Sequence, residues 1–272
     1  MEPRSLDEAL SLRAEHGDEA TVVAGGTFLG IVMNQMFLAP TKLLALRGVP
    51  GLGFVEADEE SLKLGAMATH RSVERSEAVL RGWPALAHAF SVVASPRVRN
   101  QATVGGVIAD ADYASDPPSM LAALEARVVA RSAAGGEREI PVEEFILGHY
   151  LTALGEDELV TGVRVPRAAG RSVYRKFRAR SSEDRPCVSV AAARNGGSLR
   201  VVVGAVADRP QYFPDVCSLA GDERLDEELA TEIGRRYAER IEPLSDSRGS
   251  ARYRSRVIAV EVRRALEDLT DD

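Results

Sequence analysis

The chain is poor in the residues that metal and redox centres usually draw on. Among 272 residues there are two cysteines and four histidines. Cys187 and Cys217 are too few and too far apart for a cysteine-ligated iron–sulfur cluster. None of His16, His70, His88 and His149 stands at metal-ligand spacing from a second His, Cys or carboxylate motif, so no metal is expected. Basic residues are in deficit, 34 against 41 acidic, for a formal net charge of −7. That argues against general nucleic-acid binding, which needs a basic surface to neutralise phosphates. No apolar run approaches bilayer-spanning length, and Met1 to Glu15 alternates charges without the apolar core of a signal peptide. A cytoplasmic, reduced protein is the default. Dispersed Ser, His and Asp residues support no catalytic triad, and no nucleophile elbow is present.

What the chain does have is enough apolar sequence, 45%, to bury a real core, and a length that suits two domains better than one. The organising stretch runs from Arg97 to Leu124. It holds Thr103-Val104-Gly105-Gly106, then a small-residue run with Asp110, Asp112 and Asp116, then Pro117-Pro118 and a helical pattern. Thr and Val favour an extended approach, paired glycines bare the backbone amides, and proline suits a first helical turn. A Gly-Gly pair alone is usually a turn. A second such element, Thr21 to Leu29 (TVVAGGTFL), changes the weight. Two strand-to-Gly-Gly elements can supply two rows of N–H groups converging on a diphosphate. Neither fits the G-x-G-x-x-G or G-x-x-x-x-G-K-[ST] pattern, so neither a Rossmann fingerprint nor a P-loop is indicated.

Taken in order, Ser5-x-x-Glu8 reads as a capping box on a helix closed by Gly17. Thr21 to Ala24 is a strand. Phe28, Ile31, Val32 and Met36 fit a helix packed against it. Lys42 to Leu46 and Leu62 to Ala66 are β-prone, with a Pro/Gly-rich connection at Gly48 to Gly53. Thr69 to Ser76 and Pro84 to Val93 read as helices, with Trp83 a packing anchor. Arg127 to Ser132 and Glu137 to Pro141 flank a hairpin turn, and Glu158 to Pro166 is a strand that closes the first domain. Arg167 to Arg171 is the best linker candidate. Beyond it come strands at Ser172 to Phe177, Cys187 to Ala193 and Leu199 to Val206, the last two turned by Gly196-Gly197. Helical stripes at Leu225, Leu229, Ile233, Tyr237, Ile241 and at Ile258, Val262, Leu266, Leu269 are expected to cover that second sheet.

The ordered set AGGT-x-Leu, LGAMATHRSV (Leu64 to Val73), TVGG with SDPP, YRKFRARSSEDRPCVSVAAA (Tyr174 to Ala193) and Asp246 to Leu266 resembles the FAD-binding (medium) subunit of molybdenum hydroxylases, the carbon monoxide dehydrogenase / xanthine dehydrogenase family. The likeness covers nearly the whole chain. It implies an α+β, two-domain FAD-binding fold of the vanillyl-alcohol-oxidase (PCMH) type, spanning 1–166 in two parts, roughly 1–55 and 56–166. A C-terminal α+β domain with an antiparallel sheet and helices, 172–272, would follow. It also implies FAD as cofactor. Electrons would come from a separate [2Fe–2S] small subunit fed by a molybdopterin-binding large subunit, in a heterotrimer or its dimer. They would leave to NAD+, a quinone or another small-molecule acceptor.

By that resemblance the diphosphate cradle is Ala24, Gly25, Gly26, Thr27, Phe28 and Leu29 in the first loop and Thr103, Val104, Gly105, Gly106 and Val107 in the second. Gly105→Val and Gly26→Val are each expected to abolish flavin retention by blocking amide access. Asp116, aligned with the family's Ser-Asp-x-x-Pro aspartate, is the acceptor for the sugar-alcohol hydroxyls, alongside an Asx-turn or N-cap role. Lys176 and the Glu183-Asp184 turn match the family's flavin-facing strand and loop, against a solvated-hairpin alternative. Arg178, Arg180 and Arg185 are candidates to meet an acidic partner. Two departures stand out. Val107 replaces the family's Asn, leaving only its amide. Asp110-Ala111-Asp112-Tyr113 replaces a small pair: Asp110 is either a polar flavin contact or an unfavourable charge near the diphosphate, and Tyr113 either stacks or packs. Two other functions use the same fold, a flavin-free scaffold subunit and a stand-alone FAD-dependent reductase.

Overall fold

The computed structural model describes residues 1–167, 170–181, 183–195, 197–221 and 225–270. The central part of the expected linker, Ala168 and Ala169, and the first glycine of the expected Gly196-Gly197 turn lie outside the described residues.

Helix α1, Leu6–His16, starts on Ser5, whose Oγ accepts the Glu8 N–H at 3.1 Å. The return half of the box is displaced by one residue: the Glu8 carboxylate accepts from the Arg4 N–H at 2.7 Å. Gly17, at φ 49°, closes the helix. Strands β1 (Ala20–Val23) and β2 (Lys42–Ala45) pair in parallel, and Ala9, Leu10, Ala20, Leu44 and Leu46 form a small core beneath them. Between the strands, α2 (Leu29–Asn34) is shorter than expected and buries none of its residues. The apolar spacing of Phe28, Ile31, Val32 and Met36 therefore does not mark a packed face. Met36 turns to φ 59° and ends the helical run.

The second part is built on a five-stranded antiparallel sheet. Its strands are β3 (Val55–Ala57), β4 (Ser61–Gly65), β5 (Arg127–Ser132), β6 (Gly136–Pro141) and, after the small β7 (Ile146–Gly148) and β8 (Leu151–Thr152) pair, β9 (Glu158–Pro166). The spatial order is β3-β4-β9-β5-β6. The strand read as closing the domain is thus its centre, with Val163 opposite both Leu64 and Val128. Helices α3 (His70–Arg75), α4 (Glu77–Gly82), α5 (Pro84–Ser91), α6 (Pro96–Arg99), α7 (Val104–Asp110), α8 (Pro117–Ala123) and α9 (Val142–Phe145) accompany this sheet. Leu62, Leu64, Leu86, Phe90, Met120 and Leu121 lie in its core. Trp83 is buried as expected and donates its Nε1–H to Pro166 O at 3.0 Å, tying α4 and α5 to the end of β9.

The C-terminal sheet runs β10 (Ser172–Phe177), β11 (Val188–Asn195), β12 (Ser198–Gly204), β13 (Gln211–Tyr212), all antiparallel neighbours. Short α10 (Pro214–Cys217) leads to α11 (Glu227–Arg240) and α12 (Ala251–Thr270), the two expected stripes. Side chains alternate along a strand, and β11 shows where each face goes. Val188, Val190 and Ala192 pack with α11 and α12, while Ala191 and Ala193 join the core of the first domain. The sheet is therefore covered on both faces, with α8 lying across β11 and β12. Arg254, fully buried, staples the turn before α12, donating to Cys187 O, Leu244 O and Asp246 Oδ1 at 2.6–3.0 Å. Among the described residues no helix is long and apolar enough to cross a membrane.

Candidate functional site

The two Gly-Gly elements open onto one cavity of about 450 Å³, walled also by the start of α8, by β10 and by residues 183–185 of the C-terminal domain. In the first loop Gly26 sits at φ +69°. A Cβ on Gly25 would lie 1.9 Å from Gln101 O, so only glycine permits that close passage. The resulting bend leaves the N–H groups of Gly25, Gly26, Thr27 and Phe28 with no protein acceptor among the described residues. Four free amides on the wall of a cavity are an arrangement suited to an anion. Ala24 and Leu29 border the same cavity on either side of them.

The second element differs from the sequence expectation. Only Thr103 is extended; Val104 already begins α7. The amides of Val104 and Gly105 are taken by Ala68 O and Ala66 O at 2.9 and 2.8 Å. Thr103 caps the helix, its Oγ1 accepting from Gly106 N at 3.1 Å and its carbonyl from Val107 N at 3.0 Å. The second row of donors is thus engaged inside the protein. Gly105 is required for another reason: a Cβ there would sit 2.7 Å from the Ala66 methyl. The two elements meet directly, the site of a Gly106 Cβ lying 3.9 Å from that of Ala24.

Asp116 borders the cavity but is only 3% exposed. It makes no capping bond to α8. Its carboxylate accepts the Tyr174 hydroxyl at 2.7 Å and the Lys176 ammonium at 2.9 Å, both from β10. Lys176 also donates to Val92 O at 2.8 Å. Asp116 and Lys176 therefore arrive together, as a buried pair joining the two domains at the cavity wall. Burial pushes the Asp116 carboxyl up and the Lys176 ammonium down, and each partner's charge opposes the change. Each carboxylate oxygen retains a lone pair, and the ammonium a third N–H, for a further contact.

Asp110, at the end of α7, faces the cavity with its carboxyl raised to about 7, first by burial and then by the charge of Asp112. Asp112 itself is satisfied: it pairs with Arg185 and accepts the Ala114 N–H at 3.0 Å. Arg185, expected to face a partner, thus meets this chain's own acid. Tyr113 does not wall the cavity; its ring packs edge-on against His149, centroids 4.8 Å apart, with Arg248 over its face. Its hydroxyl donates to Asp246 Oδ2 at 2.7 Å and accepts from Arg248 at 3.0 Å, latching the loop to the second domain.

Two features escaped the sequence. Phe28 stacks on Tyr150 at 5.4 Å, and Tyr150 on His149 at 3.7 Å, forming an aromatic rim with Arg185 above the Phe28 ring. His70 also walls the cavity, its pKa held at about 4 by burial. Thr69-His70 reads as an ordinary helix start, and nothing in its spacing announces that it lies beside Thr103.

Residues 1–168 match the FAD binding domain in molybdopterin dehydrogenase, and residues 172–269 the CO dehydrogenase flavoprotein C-terminal domain. The chain is 31% identical to nicotine 6-hydroxylase medium subunit of Paenarthrobacter nicotinovorans, over 97% of this chain and 94% of that one. It is 28% identical to the carbon monoxide dehydrogenase medium chain of Hydrogenophaga pseudoflava, over 97% and 94%. A solved carbon monoxide dehydrogenase structure from the same organism superposes with TM-score 0.93 at 29% identity, covering 98% of this chain and 95% of that one. Quinoline 2-oxidoreductase from Pseudomonas putida 86 gives 0.92 at 28%, covering 99% and 95%. A free-amide nest on a cavity between two domains and these matches along nearly the whole length agree, and the chain belongs to the FAD-binding medium subunits of the molybdenum hydroxylases.

Proposed function

We propose that this chain is the flavin electron-transfer subunit of its complex. FAD would receive electrons from a [2Fe–2S] subunit that is itself fed by a molybdopterin subunit, and would pass them to NAD+, a quinone or another small acceptor. The observation that carries this reading is the row of unengaged amides at Gly25, Gly26, Thr27 and Phe28 on the cavity wall. In a chain of net charge −7, backbone donors hold an anionic diphosphate without needing basic side chains. Ala24 and Leu29 would flank it. Thr103, Gly105, Gly106 and Val107 would shape the opposite wall rather than donate amides, while Val104, expected in the cradle, is turned into the core behind them. Asp116 would accept hydroxyl hydrogens through its free lone pairs, Lys176 would place a positive charge at the same wall, and Asp110, its carboxyl raised by burial, would add a second polar contact. The flavin supplies the redox chemistry when bound, and the protein positions it and excludes water.

The partner part of the proposal rests on a second observation. Ala20 to Thr41 contains no charged residue in a chain that is 28% charged. Within it Met36 and Phe37 are 85% and 80% exposed, and Tyr150 and Leu151 are exposed nearby beyond the Phe28–Tyr150 stack. An uncharged apolar face of this kind suits a permanent subunit contact, in line with a heterotrimer or its dimer. We place the division of the chain at 166/172, with 1–55 and 56–166 as the two parts of the first domain, and the complex in the cytoplasm.

The test is the visible spectrum of the purified chain, with the chromophore identified after denaturation. Stoichiometric FAD is the expected result. FMN would overturn the diphosphate cradle, because it carries a single phosphate. No flavin, even after reconstitution with FAD and the partner subunits, would favour the scaffold alternative.

A further inference from the structure

His70 is the first residue of α3 and is 1% exposed. Its ring packs edge-on against Phe90, centroids 4.9 Å apart, and borders the cavity. Among the described residues neither Nδ1 nor Nε2 has a hydrogen-bond partner. The Thr103 backbone lies close enough to favour the charged ring, but neither ring nitrogen makes a hydrogen bond of acceptable geometry to it. Leaving a buried polar group unpaired costs about 1–3 kcal/mol, and native proteins rarely tolerate it without a reason. Of the buried side-chain atoms left unpaired among the described residues, the two nitrogens of His70 belong to a residue of the cavity wall; the others lie elsewhere.

The surroundings select the part of the ligand it meets. The His70 N–H donates to Ala102 O at 2.8 Å, and Thr69 bridges Thr103. Gly25 passes the neighbouring Gln101 carbonyl at a distance no Cβ would allow. His70 therefore meets the backbone of residues 102–103 from the side away from the Gly25–Gln101 contact and stands next to the start of α7. There the first-turn amides are all engaged, so that side of the cleft has no backbone donor left. With its pKa near 4, the ring is neutral at physiological pH and keeps one N–H and one lone pair.

We propose that the imidazole N–H of His70 donates to a phosphate oxygen of the bound dinucleotide, taking the place of the engaged α7 amides across from Gly25 to Phe28. The proposal rests on the FAD reading above. It makes His70 a binding residue with no part in the electron transfer.

Flavin-stripped full-length protein, its His70→Phe variant and its His70→Gln variant are titrated with FAD and with riboflavin by flavin fluorescence. Phe keeps the volume and the ring packing and loses the N–H; Gln keeps a donor. His70→Phe is expected to weaken FAD about 10–100-fold, the range of a hydrogen bond to a charged group, with riboflavin within about twofold of wild type and most FAD affinity restored by Gln. In ¹⁵N-histidine-labelled wild type, one ring resonance should shift with ADP and not with adenosine, a readout that stands even if the Phe variant fails to fold. Equal losses for FAD and riboflavin, unchanged FAD affinity in His70→Phe, or a ring resonance indifferent to ADP would each overturn the assignment. Wild type that binds FAD while His70→Phe binds it equally well sinks only this inference. Wild type that binds no FAD sinks the flavin reading and this inference with it.

Discussion

Gly25-Gly26 and Gly105-Gly106 read alike in sequence, each a β-prone approach followed by two glycines and an apolar run, yet they do opposite things. The first stays a loop, with Gly26 at φ +69° and four amides free. The second is the opening turn of a capped helix whose amides are all used internally. One glycine in each pair is there for the same physical reason. Gly25 lets the Gln101 carbonyl pass and Gly105 lets Ala66 pass. A Gly-Gly pair in a sequence thus says that something must come close; it does not say whether that something is a ligand or the protein's own backbone. Here the thing that comes close at Gly25 and Gly105 is protein, and the amides left over by the first bend are the ones proposed for the ligand.

The largest effects follow from that distinction. Gly25→Val and Gly105→Val each force a side chain into fixed neighbours, and we expect loss of soluble protein or a drop in Tm of more than about 10 °C measured without flavin. Gly26→Ala, strained only by its positive φ with the nearest atom 3.7 Å away, should cost about 1–2 kcal/mol and leave a folded chain. This revises the expectation that Gly105→Val acts by blocking amide access, since the Gly105 amide is already bonded to Ala66 O. A Gly105→Val protein with wild-type Tm but no flavin would restore that expectation and break the comparison.

An intermediate effect concerns the far end of the helix side. Asp110 has its carboxyl raised from 3.8 to about 7. A raised folded-state value means that the native state holds the proton more tightly than the unfolded chain. The associated stability is therefore present below pH 4 and lost as pH rises through 7. With partial exposure allowed for, the loss is on the order of 2 kcal/mol by pH 8. Asp110→Asn should raise Tm at pH 8 and change it little at pH 4, where the wild-type carboxyl is already neutral. The same deprotonation sets a negative charge against an anionic ligand, so wild-type flavin affinity should weaken from pH 6 to pH 8 and the variant's should not. Parallel pH profiles for the two proteins would remove Asp110 from the cavity's electrostatics.

Most elements were legible because they rest on local rules. The Ser5 cap, the alternation from Glu158 to Pro166, and the fourfold stripe from Leu229 to Tyr237 each report a pattern with one strong physical cause. What escaped was set by tertiary contacts. The apolar spacing of Ile31, Val32 and Met36 is real, but Ile31 and Met36 are exposed and Val32 only half-buried, and no local rule separates a core face from an open one. Thr103-Val104 reads as strand because β-branched residues prefer one; the Thr103 hydroxyl and the contacts to Ala66 and Ala68 turn the same residues into a helix start. Asp116 and Lys176 were each singled out through the family's motifs, whereas their pairing across some sixty positions, with Tyr174 as third member, was not legible. His70 was invisible for the same reason, since its place on the cavity wall depends on the pairing of Thr69 with Thr103.

The smallest expected effect is the sharpest probe of the two loops. Thr103→Ala removes the cap of α7, which costs about 1 kcal/mol, a fall of about 2–4 °C in Tm for a chain of this size. It also releases the Gly106 amide, which in the wild type is bonded to Thr103 Oγ1 at 3.1 Å. If both loops served the diphosphate through their amides, freeing one more donor would hold or improve flavin affinity while stability fell. If the α7 amides contribute only to the fold, affinity should fall slightly along with the helix start that places His70 and Gly106. We expect the second outcome, a loss of about two- to fivefold in FAD affinity matching the lost stability, read by equilibrium titration of the stripped protein. A gain in affinity at lower Tm would mean that the second Gly-Gly does donate to the ligand once its own cap is gone, and the two loops would be more alike in function than their hydrogen bonds make them.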